Sequence, residues 1–154
     1  MAIHFQNEKG VELRKVAAAP GHASIDDISA AIDTRTRLVT VSAVQYSNGY
    51  RYDLSALGQL CSERGVLLVV DGTQAVGALG VDVGACGIDF LAVSSHKWML
   101  GPPGIGFVHF SDRALAAIKP SVVGWLSVAD PFAFDYQLDL AQSAKRFEPG
   151  TENV

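Results

Sequence analysis

Apolar positions along this chain fall into short unbroken runs separated by stretches of helical period, and the alternation between the two patterns predicts the fold. Val66-Leu67-Leu68-Val69-Val70 stops at Asp71, and Asp89-Phe90-Leu91-Ala92-Val93 stops at Ser94-Ser95-His96-Lys97. Runs this short, branched and continuously apolar are the pattern of strands covered on both faces in a parallel sheet. Leu38 to Val44 reads as another strand. Val11 to Ala17 alternates Val11 and Leu13 against Glu12 and Arg14, which predicts a strand near a sheet edge, ending at Pro20-Gly21. Between these runs the period becomes helical. Ser24 and Asp27 make an S-x-x-D box ahead of a helix that carries Ile25, Ile28 and Ile32 on one face. Asp53 caps a second helix, with Leu54, Leu57, Leu60 and Cys61 as its buried stripe and Gly65 as its terminator. Strand, helix, strand, helix, strand predicts an α/β fold of three layers, a mostly parallel sheet with helices on both faces.

After Asp71 the passage Gly72 to Gly80 is too rich in glycine for a long helix and predicts one helical turn. Gly104 to Phe110 is a further strand, reached from the one through Phe90 by a connection too short for a helical crossover, so it is expected to run antiparallel. Asp112 is the expected cap of a short helix, Arg113 to Ile118. From Pro120 onward the periodicity fades into a proline-broken tail containing Trp125, Phe132, Phe134, Tyr136, Phe147 and Gly150-Thr151. Residues 1–120 thus read as an α/β core. Residues 121–154 read as a loop-rich aromatic extension of the same domain, suited to binding loops or a subunit contact.

With 154 residues, 49% of them hydrophobic, the chain has material for a sizeable core without staples. A charged fraction of 18%, a net charge of -4 and no basic cluster argue against a nucleic-acid partner. No apolar run has bilayer length, and Met1 to Gln6 shows no signal-peptide pattern, which predicts a cytoplasmic protein with no membrane partner. Cys61 and Cys86 form no CxxC motif, and His4, His22 and His109 lack partners at metal-ligand spacing, so neither a disulfide framework nor a metal site is expected. Gly101-Pro102-Pro103-Gly104-Ile105-Gly106 precedes a strand instead of leading from one into a helix, so it reads as a tight turn and not as a nucleotide loop. The serine-hydrolase and zinc-protease motifs are absent.

What remains is a pair of ionisable groups. Parallel strands bind ligands at their C-terminal ends, and there one run delivers Asp71 and the other leads to Lys97. Singly, each has an ordinary explanation. Aspartate before glycine commonly caps a turn, a loop lysine is usually solvated, His96 could be a satisfied polar residue, and Gln74 could be an exposed residue of the helical turn. Together they suit pyridoxal 5'-phosphate. A lysine amine condenses with its aldehyde, and a carboxylate keeps its pyridine nitrogen protonated so that the ring can accept electrons.

The motifs Asp71-Gly72-Thr73-Gln74-Ala75, Ser94-Ser95-His96-Lys97 and Gly101-Pro102-Pro103-Gly104-Ile105-Gly106 resemble those of the class V aminotransferases. This group of fold-type I pyridoxal phosphate enzymes includes cysteine desulfurases, selenocysteine lyases and isopenicillin N epimerase-like enzymes. The resemblance implies that Lys97 holds the cofactor as an aldimine and that Asp71 pairs with the pyridine nitrogen. It further implies that Gln74 donates to the ring's phenolic oxygen, that Ser94 and His96 hold the phosphate, and that Thr151 reaches the phosphate of a neighbouring subunit in a homodimer. The substrate class it implies is an amino acid or amine, processed by transamination or by desulfurase, lyase or epimerase-like chemistry. It covers residues 11 to 154 as the middle of a chain more than twice as long in the family. The family's upstream phosphate loop and its small C-terminal domain are expected outside this sequence. The desulfurase nucleophile also belongs to that outer region, and neither Cys61 nor Cys86 takes its role. A second reading stays open beside the enzyme: a structural or assembly fragment that binds the cofactor weakly or not at all.

Overall fold

The computed structural model of the protein describes residues 10–17, 21–135 and 137–151; His4, Pro20 and Tyr136 lie outside the described residues. The chain divides into two compact units, Met1–Thr36 and Arg37–Val154. In the first, helix α1 spans Ile25–Ala31 and begins with both halves of the capping box. The Ser24 hydroxyl accepts from the Asp27 amide at 3.0 Å, and the Asp27 carboxylate accepts from the Ser24 amide at 2.9 Å. Ile28 and Ile32 are buried. Val11 to Ala17 departs from expectation, because it joins no ladder and both Val11 and Leu13 are exposed. Alternation marks two unlike faces, but a strand also needs a neighbour to pair with. Here the alternate charged residues bind other groups: Arg14 donates to the Ala31 carbonyl and to Asp33, and Arg35 donates to Glu12. The Arg14 guanidinium helps hold the Asp33 carboxyl down to about 2.

The second unit is built on a mixed four-stranded sheet in the order β1-β2-β3-β4. The strands are β1 Leu38–Ser42, β2 Leu67–Asp71, β3 Phe90–Ser94 and β4 Gly106–Phe110. The first three run parallel, and β4 pairs antiparallel with β3 over its whole length, as the short connection requires. Helix α2, Leu54–Glu63, joins β1 to β2 and packs on β2 through Leu57, Gly58 and Cys61. Its Asp53 cap and its Gly65 terminator, at φ 66°, are where the sequence puts them. Leu57, Leu68 and Val70 are fully buried, and each contributes about 1.5–3 kcal/mol relative to an exposed side chain. Gly58 looks out of place in a helix until its neighbour is considered. A Cβ there would run into the Cys86 carbonyl, so the glycine lets the loop before β3 lie against the helix.

Helix α3, Asp112–Ala117, packs on β4. Its N-cap is Ser111, not Asp112: the Ser111 hydroxyl accepts from the Ala114 amide at 3.1 Å, and Asp112 becomes the first helical residue. Both residues suit a helix start, and the one with extended backbone takes the cap. The tail is more ordered internally than its lost periodicity suggests. Ser127 is fully buried, accepts from the Gly124 amide at 3.2 Å and donates to the Glu148 carbonyl at 3.1 Å. Phe147, in the 3-10 helix Ala144–Phe147, stacks on Phe110 with ring centroids 4.4 Å apart. Arg146 donates to the Leu115 and Ile118 carbonyls, satisfying the end of α3. Trp125, Phe132 and Phe134 stay exposed.

Candidate active site

The parallel register fixes where the chemistry can gather. Asp71, the last residue of β2, pairs with Ala92, so Ser94 at the end of β3 lies two residues further along the same edge. That is roughly 7 Å at the rise of a strand. Thr73 closes the gap. Its amide donates to Asp71 Oδ1 at 2.9 Å, which orients the carboxylate, and its hydroxyl accepts from the Ser94 amide at 3.2 Å. Asp71, Thr73 and Ser94 together line an open cavity of about 600 Å³, with Phe107 and Phe147 also on its wall. Behind them the passage after Asp71 makes two successive hydrogen-bonded turns where one was expected, the Ala75 and Val76 amides donating to the Gly72 carbonyl and the Ala78 and Leu79 amides to that of Ala75.

The loop carrying Lys97 is held at its root and open at its tip. Ser95 is buried, and its amide donates to the Ile105 carbonyl at 3.0 Å. Its hydroxyl lies 2.8 Å from the Pro102 carbonyl and 2.9 Å from that of Ile105, a single proton being shared between two acceptors. The return turn needs its glycines. A Cβ on Gly101 would press on the Ser95 side chain, and one on Gly106 would meet the Val93 carbonyl. His96 and Lys97 project from this frame, both exposed, and neither side chain carries a hydrogen bond or ion pair among the described residues. Gln74 accepts from the Trp98 indole N–H at 3.3 Å. Thr151 is exposed, and no hydrogen bond joins it to Asp71, Gln74 or Lys97.

Thus the structure gathers Asp71 and Ser94 at one strand edge, with Lys97 and His96 on the loop that leaves it and Gln74 tied to that loop through Trp98. Thr73, Ser95 and Trp98 are the residues that sequence reasoning passed over. Thr73 stood inside the Asp71–Ala75 motif, but its function as a tie between two strands depends on a pairing that sequence order does not display.

A second polar cluster occupies the opposite end of the same strands. Asp89, just before β3, is buried. Its Oδ2 accepts from the Leu68 amide at 2.8 Å and from Arg113, and its Oδ1 accepts from Ser111 Oγ at 2.8 Å and Arg113 Nε at 3.0 Å. Burial alone pushes the carboxyl up, but the hydrogen bonds from Arg113, Leu68 and Ser111 outweigh it and hold Asp89 below the ordinary range. Cys61 lies in this buried region, and desolvation pushes its thiol up to about 11, with Asp89 adding to the shift. It is no nucleophile at neutral pH.

An exposed lysine and an oriented carboxylate at the C-terminal edge of a mostly parallel sheet are groups suited to holding an aldehyde-bearing cofactor. The comparisons make this specific: the family model for Aminotransferase class-V matches residues 1–154, and the chain belongs to that family. It is 36% identical over 149 residues to a probable cysteine desulfurase of Methanothermobacter thermautotrophicus, covering 96% of this chain and 36% of that protein. It is 40% identical over 101 residues to the isopenicillin N epimerase of Amycolatopsis lactamdurans, covering 66% of this chain and 25% of that one. Among solved structures, the cystine C-S lyase C-DES in complex with cysteine persulfide superposes with a TM-score of 0.88 at 26% identity, covering 98% of this chain and 41% of the lyase. A mutant of the same lyase holds glycine covalently linked to its PLP cofactor. The chain spans about a quarter to a little over a third of the length of the curated relatives it matches, 36% of the Methanothermobacter protein and 25% of the epimerase.

Proposed function

We propose that this chain is the cofactor-bearing part of a pyridoxal 5'-phosphate enzyme that acts on an amino acid or amine. The observation that supports it most is the Thr73 tie, which sets an oriented carboxylate beside the strand end from which the unpaired Lys97 departs. The donor set fits the group: an acceptor-only carboxylate for a protonated ring nitrogen, a primary amine for an aldehyde, and hydroxyl and imidazole groups for a phosphate. When bound, the cofactor supplies an aldehyde for amine exchange and a ring that takes up electron density from the substrate's alpha carbon.

The protein's own groups do the rest. Lys97 Nζ would hold the cofactor's aldehyde carbon and, as a free amine, would carry the proton at the substrate's alpha carbon. Asp71, oriented by the Thr73 amide, would keep the proton on the pyridine nitrogen. Gln74 would donate to the phenolic oxygen, and Ser94 and His96 would hold the phosphate. Thr151, exposed and unattached to its own chain's site, is assigned to the phosphate of a second subunit in a homodimer. In that assembly residues 1–120 form the cofactor-binding core and residues 121–154 its aromatic extension, with Trp125, Phe132 and Phe134 covered by the partner. The working compartment is the cytoplasm. No helix among the described residues is long and apolar enough to cross a membrane.

Incubation of the intact protein with pyridoxal phosphate is expected to give a visible absorption band. Borohydride reduction followed by peptide mapping is expected to place the label on Lys97. Absence of the band, or a band and label that persist in Lys97→Ala, would overturn the reading.

A further inference from the structure

Among the described residues the Trp98 indole makes one polar contact, and it falls on a residue of the proposed site: its N–H donates to Gln74 Oε1 at 3.3 Å. An indole nitrogen can only donate, so its partner must be the carbonyl end of the glutamine amide. That fixes which way the amide is turned. With Oε1 engaged by Trp98, the Gln74 nitrogen, which can only donate, points to the other side of the side chain.

Both ends of this contact are held by backbone. Gln74 sits in the turn closed by the Ala75 and Val76 amides on the Gly72 carbonyl, with Gly72 and Ala75 buried. The Trp98 backbone lies against Gly77, just past that turn. Gly77 has φ 98°, and a Cβ on it would run into the Trp98 carbonyl and the Met99 amide. Only a glycine both adopts that conformation and lets the two loops touch. The contact between the Asp71 and Lys97 loops is therefore built from backbone outward, and the indole–amide hydrogen bond is its polar part.

We propose that Trp98 is a positioning residue: it orients the Gln74 amide so that the amide is presented to the cofactor as a donor. This rests on the reading of Gln74 as a partner of the ring's phenolic oxygen. A freely rotating glutamine would offer its carbonyl as readily as its nitrogen, and a carbonyl facing a phenolate repels it. Trp98 removes that half of the rotamers.

Two measurements on the intact protein test this. Without cofactor, the Trp98 indole N–H resonance, assigned by its loss in Trp98→Phe, is expected to shift in Gln74→Leu while that of Trp125 stays in place; an unmoved Trp98 resonance would overturn the proposal. With pyridoxal phosphate, Gln74→Leu is expected to move the pH midpoint of the visible band. Trp98→Phe is expected to move it in the same direction by a smaller amount and to weaken cofactor affinity about 2- to 10-fold, the worth of one ordinary hydrogen bond. The double variant is expected to titrate as Gln74→Leu alone. A band in Trp98→Phe that titrates as the wild type does, or a double variant whose shift is the sum of the two, would overturn the proposal and leave the cofactor reading standing. A wild-type protein with no band at all would overturn both.

Discussion

Replacing Asp89 with asparagine changes almost no volume and tests whether the buried cluster at the N-terminal ends of the strands stabilises the fold. Asp89 receives four donors on two oxygens: the Leu68 amide, the Ser111 hydroxyl and two Arg113 nitrogens. Asparagine keeps one oxygen and turns the other into a donor. The less costly orientation leaves the oxygen on the Leu68 amide, which cannot rotate, and sets the new N–H₂ against Ser111, whose hydroxyl can turn to accept, and against Arg113 Nε. Arg113 loses a charged partner, but its side chain is 43% exposed and rehydrates in part. The loss is then about one charge-assisted hydrogen bond plus one donor–donor conflict, on the order of 2–3 kcal/mol. For a chain of this size that lowers Tm by roughly 5–10 °C. The pH dependence gives a second check. Asp89 has its carboxyl lowered in the folded state, so its ionised form adds stability that is fully present above the ordinary aspartate value of 3.8 and is lost as pH falls through the folded value. Thermal unfolding of both proteins from neutral pH down to acid is expected to show a wide gap that narrows below that point. A gap that is absent at neutral pH, or that widens on acidification, would refute the argument.

Three further outcomes are expected. Gly58→Ala drives a methyl into the Cys86 carbonyl, which is backbone and cannot step aside, so the variant is expected to lose on the order of 1–3 kcal/mol in urea unfolding despite the better helix propensity of alanine. Thr73→Val keeps the amide on Asp71 but takes the acceptor from the Ser94 amide; roughly 1–3 kcal/mol of local stability is expected to go, read as faster hydrogen exchange at Ser94. Phe147→Ala removes the ring stacked on Phe110, and a cost of about 3–5 kcal/mol is expected at full burial, less here because Phe147 is only half-buried; a calorimetric Tm equal to the wild type would contradict the packing described.

Hydrophobic period and turn chemistry carried most of the fold. The runs ending at Asp71 and Ser94 were legible because a strand between neighbours is apolar throughout, and α2 because Asp53, the Leu57 stripe and Gly65 agree with one another. Val11 to Ala17 misled because alternation reports a difference between two faces and not a partner for the backbone. Asp112 misled because two adjacent residues both suit a helix start and only backbone geometry chooses between them. In the candidate site, Asp71 could be named because it ends one apolar run, and Lys97 because it lies in the short polar stretch that follows the other. Thr73, Trp98 and Arg113 could not, since what they do depends on which loop lies across from them.

The two polar clusters sit at opposite ends of the same pair of strands, and the proposed function assigns chemistry to one of them and leaves stability to the other. Asp89 stands immediately before β3 and binds the Leu68 amide in β2, while Asp71 and Ser94 stand at the far ends of those strands. Between them lie Leu68, Val70, Leu91 and Val93, all buried, which carry the register from one end to the other. A carboxylate enclosed by four donors is a poor proton carrier at neutral pH but a firm anchor, whereas Asp71 spends one oxygen on the Thr73 amide and is exposed to a ligand. Substitutions at the two ends are therefore expected to separate. Asp89→Asn is expected to lower Tm and leave the pH midpoint of the cofactor band in place, because the packed strands between keep the Asp71 carboxylate where Thr73 holds it. Asp71→Asn is expected to leave Tm close to the wild type and to abolish the electron demand of the ring, since an amide cannot hold the proton on the pyridine nitrogen. A displaced cofactor spectrum in Asp89→Asn, measured well below its Tm, would show that the anchor and the site are coupled and would defeat this division.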